Sequence, residues 1–209
     1  MDPRIVPLLR PLITEPEQVP AIKPFNMQMK VLLTTEDTAG AVSVIMAWHK
    51  PGEGPPDHVH FDQEETFFIV DGRYELTIDG QTSIDGPGTL VFIPRNIVHS
   101  FKNVGETSAC RLDWTLPGGQ DWYFKKISEL AAGGSLTGDK LAELNKEHNT
   151  TFCSARRPAA DGRRERISSP APMDTIDNVF SVRSHDGRFP SSECCYRARE
   201  ANSSGRVSA

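Results

Sequence analysis

The chain has 209 residues, of which 37% are hydrophobic and 24% are charged, and its formal net charge is -5. This length and composition predict one soluble folded domain with a hydrophobic core and a polar appendage. Residues 1–154 hold 13 Lys and Arg against 21 Asp and Glu. Such an acidic balance argues against nucleic-acid binding by the domain.

The N-terminal segment is rich in proline. Residues 1–24 contain six prolines, which prevent a continuous helix. We expect an extended arm that lies along a sheet edge or reaches a neighbouring subunit. Prolines and charges also interrupt the apolar run that a signal peptide requires, and no window approaches the roughly 18 apolar residues of a membrane span. The expected location is cytoplasmic, without membrane association.

Short runs of β-branched and apolar residues fill residues 25–116, separated by turn pairs such as Asp71-Gly72 and Asp79-Gly80. Turn signals at intervals of about ten residues are typical of an antiparallel sandwich or barrel. The sequence therefore predicts an all-β domain over residues 25–116. The predicted strands cover 27–34, 41–49, 58–61, 65–70, 73–78, 89–93, 98–103 and 107–116.

The periodicity changes at Pro117-Gly118-Gly119. Apolar residues then recur at helical spacing, so residues 117–154 are expected to form two amphipathic helices packed on the barrel or on a partner. Residues 155–209 are rich in Arg, Ser and Pro and poor in apolar residues. Low hydrophobicity cannot offset the entropy cost of ordering, so this segment is predicted to be a disordered tail.

Residues 52–72 read GEGPPDHVHFDQEETFFIVDG and bring potential metal-binding side chains together. Residues two apart on a strand share a face, so His58 and His60 are expected to project to the same side. Glu65 is placed to point back at the same volume from the next strand. His99 is the candidate for a third imidazole.

Glu64 competes with Glu65 for the carboxylate role because it lies one residue closer to His60. Glu65 is favoured because it shares a face with apolar residues. The side chains expected to form an apolar surround for the metal, as core or as substrate contacts, are Phe67, Ile69 and Phe101.

The remaining polar residues are given no role as metal ligands. His49 is interpreted as a surface or hydrogen-bonded imidazole, and His148 is given no role in the site. Arg111 and Asp113 alternate on the last predicted strand, and the sequence leaves open whether they face the pocket or solvent.

The spacing of these residues resembles a known family. The series Gly52-x5-His58-x-His60-x4-Glu65-x6-Gly72 resembles the first signature of the cupin superfamily, and Gly88-x5-Pro94-x-Asn96-x2-His99-x3-Asn103 resembles the second. Asn96 stands where the family has glycine. Because Asn tolerates positive φ better than most residues, we expect the turn to be kept.

The resemblance implies a single double-stranded β-helix, the cupin jelly-roll barrel. It also implies that His58, His60, Glu65 and His99 are metal ligands. Three neutral imidazoles and one carboxylate suit Fe(II), the metal that we expect, with Mn, Ni, Cu and Zn as alternatives. Glu65 is given a second role as general base for a substrate hydroxyl.

The chain looks most similar to small single-domain cupins of the quercetin-dioxygenase-like kind. This resemblance implies a metal-dependent oxidoreductase, dioxygenase-like, that acts on a small aromatic or polyketide-type metabolite. The Arg/Ser-rich tail points to a fungal pathway of secondary-metabolite biosynthesis. The alternatives are a redox-neutral isomerase, decarboxylase or cyclase, and a non-catalytic small-molecule-binding cupin. Because cupins commonly pair through outer sheets and arms, a homodimer that uses residues 1–24 is expected.

Overall fold

The structure, a computed structural model, describes residues 9–153. It contains ten strands and two α-helices in this range. The strands are β1 (Gln28–Leu33), β2 (Ser43–His49), β3 (His58–His60), β4 (Glu64–Asp71), β5 (Tyr74–Ile78), β6 (Gln81–Asp85), β7 (Leu90–Ile93), β8 (His99–Asn103), β9 (Ala109–Leu116) and β10 (Thr150–Phe152). The helices are α1 (Gln120–Ala132) and α2 (Gly138–Glu147).

The strands form two five-stranded antiparallel sheets. The strand order is β1-β2-β9-β4-β7 in the first sheet, called sheet A, and β10-β3-β8-β5-β6 in the second, called sheet B. Consecutive strands often belong to different sheets, so the chain crosses repeatedly between the two layers, as in a jelly roll. The prediction of an all-β jelly-roll barrel followed by two helices is confirmed.

Two strands, β6 and β10, were not predicted from the sequence. β6 is polar and largely exposed at the edge of sheet B, so it lacks an apolar alternation that would mark it. β10 has only three residues and follows the helices. It forms because the chain returns to pair with β3, with Thr150 opposite His60 and Phe152 opposite His58.

The core divides into three clusters. Between the sheets, the first cluster centres on Phe67, Ile69, Tyr74 and Phe101. A second cluster joins the start of β1 to β2, whose residues alternate between buried and half-buried as a strand with one inward face requires. The helices contribute the third cluster, which consists of Tyr123, Ile127, Leu141 and Leu144.

The turn after Pro94 keeps its shape although asparagine replaces glycine. Asn96 adopts a φ of 67°, in the left-handed region where Asn is among the better tolerated residues. Its backbone N–H donates to the carbonyl oxygen of His60 at 2.8 Å. The expectation that Asn96 preserves the turn is confirmed, and the turn is tied to the strand that carries two candidate ligands.

Only part of the predicted arm falls in the described range. Residues 9–24 include a 3₁₀ turn at Pro16–Gln18 and a β-bridge between Ile22 and Met29, and they leave Leu12 and Ile13 exposed. The predicted tail at 155–209 lies outside the described residues. Within residues 9–153, neither helix combines the length and apolar content needed to cross a membrane.

Candidate metal centre

The four predicted ligands meet between the two sheets. His58 and His60 lie on β3 and His99 lies opposite His58 on β8, all in sheet B, whereas Glu65 lies on β4 in sheet A. Each of the four is at least 94% buried. One ligand atom from each lies within 4.8 Å of the others, close to the limit of about 4.4 Å set by metal–ligand bonds of about 2.2 Å.

Backbone carbonyls orient two of the imidazoles. The Nδ1 atoms of His58 and His99 donate to the carbonyl oxygens of Pro56 and Ile97, each at 3.0 Å. A carbonyl oxygen only accepts, so Nδ1 carries the proton in the neutral ring and Nε2 presents its lone pair to the centre. This is the second hydrogen bond that metal-ligating histidines ordinarily make.

His60 obtains its orientation from β10. Its Nδ1 lies 2.8 Å from Oγ1 of Thr150, whose hydroxyl can donate onward to the carbonyl oxygen of His148 at 3.4 Å. Within the described residues, the buried Nε2 of His60 makes no hydrogen bond, although Oε2 of Glu65 is 3.3 Å away. A buried lone pair that faces a carboxylate is the arrangement that a cation would satisfy.

The electrostatic surroundings favour the metal-binding form of two of the four groups, His58 and Glu65. Burial, followed by the charges of His99 and His60, lowers the pKa of His58 well below its usual value, which favours the neutral ring. Burial alone would raise the pKa of Glu65. This effect of burial is outweighed by contacts with His60 and His99 and by the charge of Arg111. The pKa of Glu65 therefore lies well below its usual range. Three neutral nitrogens and one carboxylate fit a divalent transition metal.

The alternative carboxylate lies elsewhere. Glu64 points to the surface, where it forms a bidentate ion pair with Arg95. Its neighbour Glu65 is 2% exposed and lies 3.0 Å from Nε2 of His99. Because successive residues of a strand face opposite sides, only one of the two can reach the centre.

A cavity of about 40 Å³ opens onto the cluster. Its lining includes His58, His60 and Glu65 and is otherwise mostly apolar. Of the predicted pocket residues, Phe101 lines this cavity, whereas Phe67 and Ile69 belong to the core cluster and are not among its lining residues. The apolar wall comes instead from segments around the barrel mouth, namely Phe25, Met27, Met29, Pro55, Tyr123, Phe124 and Phe152.

Comparison with known proteins agrees with this geometry. Residues 49–115 match a family model described as a cupin domain. The chain contains a cupin domain. The match includes all four candidate ligands, and the signatures that the sequence resembles lie within or beside it.

Two relatives have names that describe an activity. This cupin is 32% identical to "Polyketide synthase CurC" of Streptomyces cyaneus over 103 residues, which cover 48% of this chain and 66% of CurC. It is 29% identical to "Quercetin 2,3-dioxygenase" of Bacillus subtilis over 73 residues, which cover 35% of this chain and 22% of that protein. The chain thus spans less than two thirds of the length of either relative.

Solved structures also match. KdgF from Halomonas sp. aligns with a TM-score of 0.48 at 16% identity, over 54% of this chain and 99% of KdgF. The family-model match establishes a cupin domain over residues 49–115, and the His/Glu cluster within it is compatible with a divalent metal.

The sequence left open whether Arg111 and Asp113 face the pocket or solvent, and in the structure both face the cavity. Arg111 and Asp113 are each 5% exposed and lie among the lining residues. Nε of Arg111 donates to Oδ2 of Asp113 at 3.0 Å. Burial raises the pKa of Asp113 to about 7, with the charge of Glu65 adding to the rise and that of Arg111 opposing it.

The two other histidines also have defined surroundings. His49 is fully buried and its Nδ1 lies 2.9 Å from the hydroxyl of Tyr74, which matches the hydrogen-bonded interpretation. His148 caps α2, stacks on Tyr123 with ring centroids 4.7 Å apart, and lies edge-on to His60 at 6.4 Å. Burial lowers the pKa of His148 to about 4, with the charge of His60 adding to the effect. The sequence prediction missed this position beside the cluster.

Thr150 offers a direct test of how the cluster is oriented. Replacing Thr150 with valine removes the partner of His60 Nδ1 while keeping the side-chain shape, so we expect metal affinity to fall by roughly 10- to 100-fold. Thr150→Ser keeps the hydroxyl and is expected to retain most of the affinity. Metal titration with a competing chelator measures both, and equal affinities for Thr150→Val and wild type would contradict this orientation.

Proposed function

We propose that this cupin is a metal-dependent oxidoreductase, dioxygenase-like, acting on a small aromatic or polyketide-type metabolite. The observation that carries this proposal is the convergence of His58, His60, Glu65 and His99 beside a mostly apolar cavity that the first three of them line. An open site of three imidazoles and one carboxylate is the kind of centre that supports Lewis-acid and redox chemistry. We propose Fe(II) as the resident metal.

The apolar lining supports the proposed substrate class. Phe101, Phe124 and Phe152 together with two methionines offer stacking and flexible packing surfaces for a flat, hydrophobic molecule. The names of CurC and of the Bacillus protein associate similar sequences with polyketides and with quercetin. From these observations together we propose a role in secondary-metabolite biosynthesis.

The surroundings of the two cavity carboxylates favour different roles. Glu65 is held ionised with a low pKa, which suits a metal ligand and makes it a weak base. Asp113, with a pKa near 7 and a place in the cavity wall, is better suited to accept a proton from a substrate hydroxyl at neutral pH. The role of Glu65 as base stays a prediction, and Asp113 is our proposed proton acceptor.

Oxygen uptake by the metal-loaded protein tests the reaction type. Fe(II)-loaded protein should consume dioxygen when supplied with members of a panel of flavonols, phenols and β-diketones, and product should not form under argon. Product formed equally under argon would identify a redox-neutral isomerase, decarboxylase or cyclase. Ligand binding without any product would identify a binding protein. Elemental analysis of untagged protein provides the metal content for the same samples.

We also propose that the protein is a homodimer that uses the arm of residues 1–24. The described part of the arm exposes Leu12 and Ile13, and the outer face of sheet A exposes Phe68, Leu90 and Phe92. Phe68 pairs with Leu90, so these side chains lie next to one another. Two exposed apolar surfaces on one soluble chain are typical of a protein–protein contact.

Light scattering measures this association. The wild type is expected to show twice the chain mass of 23.1 kDa, and a Leu90→Lys/Phe92→Lys variant is expected to be monomeric. Ile84→Lys, at an equally exposed position on the edge of sheet B, is the control and should remain dimeric. A monomeric wild type would contradict the proposal.

A further inference from the structure

The guanidinium of Arg111 is fixed on three sides. Its Nε donates to Asp113, and its Nη2 lies 3.5 Å from Oε1 of Glu65. Its Cζ lies 3.3 Å from the ring centroid of Phe101 and 4.5 Å from that of Phe67. Stacking and ion pairing therefore fix both the plane and the rotation of the group.

One nitrogen of this fixed group has no acceptor. Nη1 of Arg111 is buried and makes no hydrogen bond to any residue between 9 and 153. The side chain is 6% exposed and contributes to the cavity wall. An unsatisfied donor on a buried cation is costly, and native proteins rarely leave one without a partner. An acceptor that enters the cavity would satisfy it.

The local charge indicates the kind of acceptor. Glu65 and Asp113 are the carboxylates that face Arg111 among the described residues of the cavity wall. With a divalent cation held by the cluster, the positive charges exceed the negative ones, which favours an anionic oxygen over a neutral one. Most of the remaining wall is aromatic or aliphatic, so the molecule that carries this oxygen should be mainly apolar.

We propose that Nη1 of Arg111 binds an acidic oxygen of the substrate, a carboxylate, phenolate or enolate on a flat apolar framework. Because Nη2 of the same guanidinium lies beside Glu65, an oxygen bound to Nη1 would lie near the metal ligands. This inference deepens the proposed function by naming the substrate class, and it rests on that function for what happens after binding. Arg111 is thus a residue that selects the substrate by charge.

A pair of probes with similar shape but different charge tests the inference. Benzoate and benzamide have similar shapes, but only benzoate presents a carboxylate. Calorimetric titration of each into the Zn(II)-supplemented protein should show that benzoate binds more tightly. Because hydrogen bonds to charged groups are stronger than neutral ones, the Arg111→Met variant should lose roughly 10- to 100-fold in benzoate affinity and little in benzamide affinity.

Three further variants make the result decisive. Arg95→Met removes a surface guanidinium that pairs with Glu64, and it should retain the preference for benzoate. Arg111→Met/Asp113→Asn removes both charges of the pair and thus keeps the buried charges balanced if the single variant does not fold. Arg111→Lys keeps the charge and should recover part of the preference. Thermal unfolding confirms that each variant is folded.

The outcomes separate this inference from the proposed function. A wild type without preference for benzoate, or folded Arg111 variants that retain it, would overturn the role of Arg111. A wild type that retains no Zn(II) after supplementation and dialysis, as elemental analysis measures, but still prefers benzoate through Arg111 would overturn the metal-dependent function and leave the anion anchor standing.

Discussion

Replacing His99 with alanine is expected to abolish stable metal binding and activity. His99 is 2% exposed, and its Nε2 faces Glu65 at 3.0 Å while its Nδ1 is held by a backbone carbonyl. The substitution removes a donor itself, so the loss of metal affinity should exceed the roughly 10- to 100-fold that follows loss of an outer hydrogen-bond partner. Elemental analysis after dialysis and an activity assay measure the two effects.

Lys102→Ala is the matched control for His99→Ala. Lys102 lies on the same strand, β8, and its side chain pairs with Glu75 at the surface. It should retain full metal loading and activity, since a surface ion pair contributes little. A folded His99→Ala protein that still binds metal at the wild-type level would show that the cluster is not the metal site.

Replacing Gly72 with alanine is expected to destabilise the barrel strongly. Gly72 has a φ of 87°, and a Cβ there would lie 2.3 Å from Cβ of the fully buried Ala109. The left-handed backbone costs roughly 1–2 kcal/mol for alanine, and forcing atoms into a packed site costs typically about 1–3 kcal/mol more. Urea denaturation should show the free energy of unfolding reduced by roughly 2–5 kcal/mol.

Gly80 separates the two contributions. It has a φ of 77°, but an added Cβ would meet nothing within 4 Å. Gly80→Ala should therefore show only the backbone cost of roughly 1–2 kcal/mol. Equal losses at the two positions would mean that the close approach of Gly72 to β9 contributes nothing to the stability of the barrel.

The cluster could be predicted because its members are specified locally. His58 and His60 need only the alternation of one strand, and the paired signatures fix the spacing to Glu65 and His99. Neighbouring glycines and Asn96 mark turns with positive φ that few other residues adopt. Each of these features is visible in fewer than about 25 consecutive residues.

The cavity wall could not be predicted in the same way. Alternation shows that Arg111 and Asp113 share a face of β9, but only the register against β4 decides which face is inward. In the structure Asp113 lies opposite Phe67 and Arg111 opposite Ile69, with a register shift just beyond. The partners of His60 and His58 on β10 depend on a three-residue pairing between segments far apart in sequence, for which the chain carries no local signal.

The pairing of β10 with β3 also has a consequence for the order in which the protein is made and folds. His60 and the Thr150 hydroxyl that orients it are 90 residues apart, so this contact is among the non-local ones that form slowly. During synthesis the barrel strands β1–β9 leave the ribosome before α1, α2 and β10. The nascent chain therefore contains all four candidate ligands before β10, the strand whose Thr150 orients His60, has been made. We therefore expect high-affinity metal binding to follow the pairing of β10 with β3.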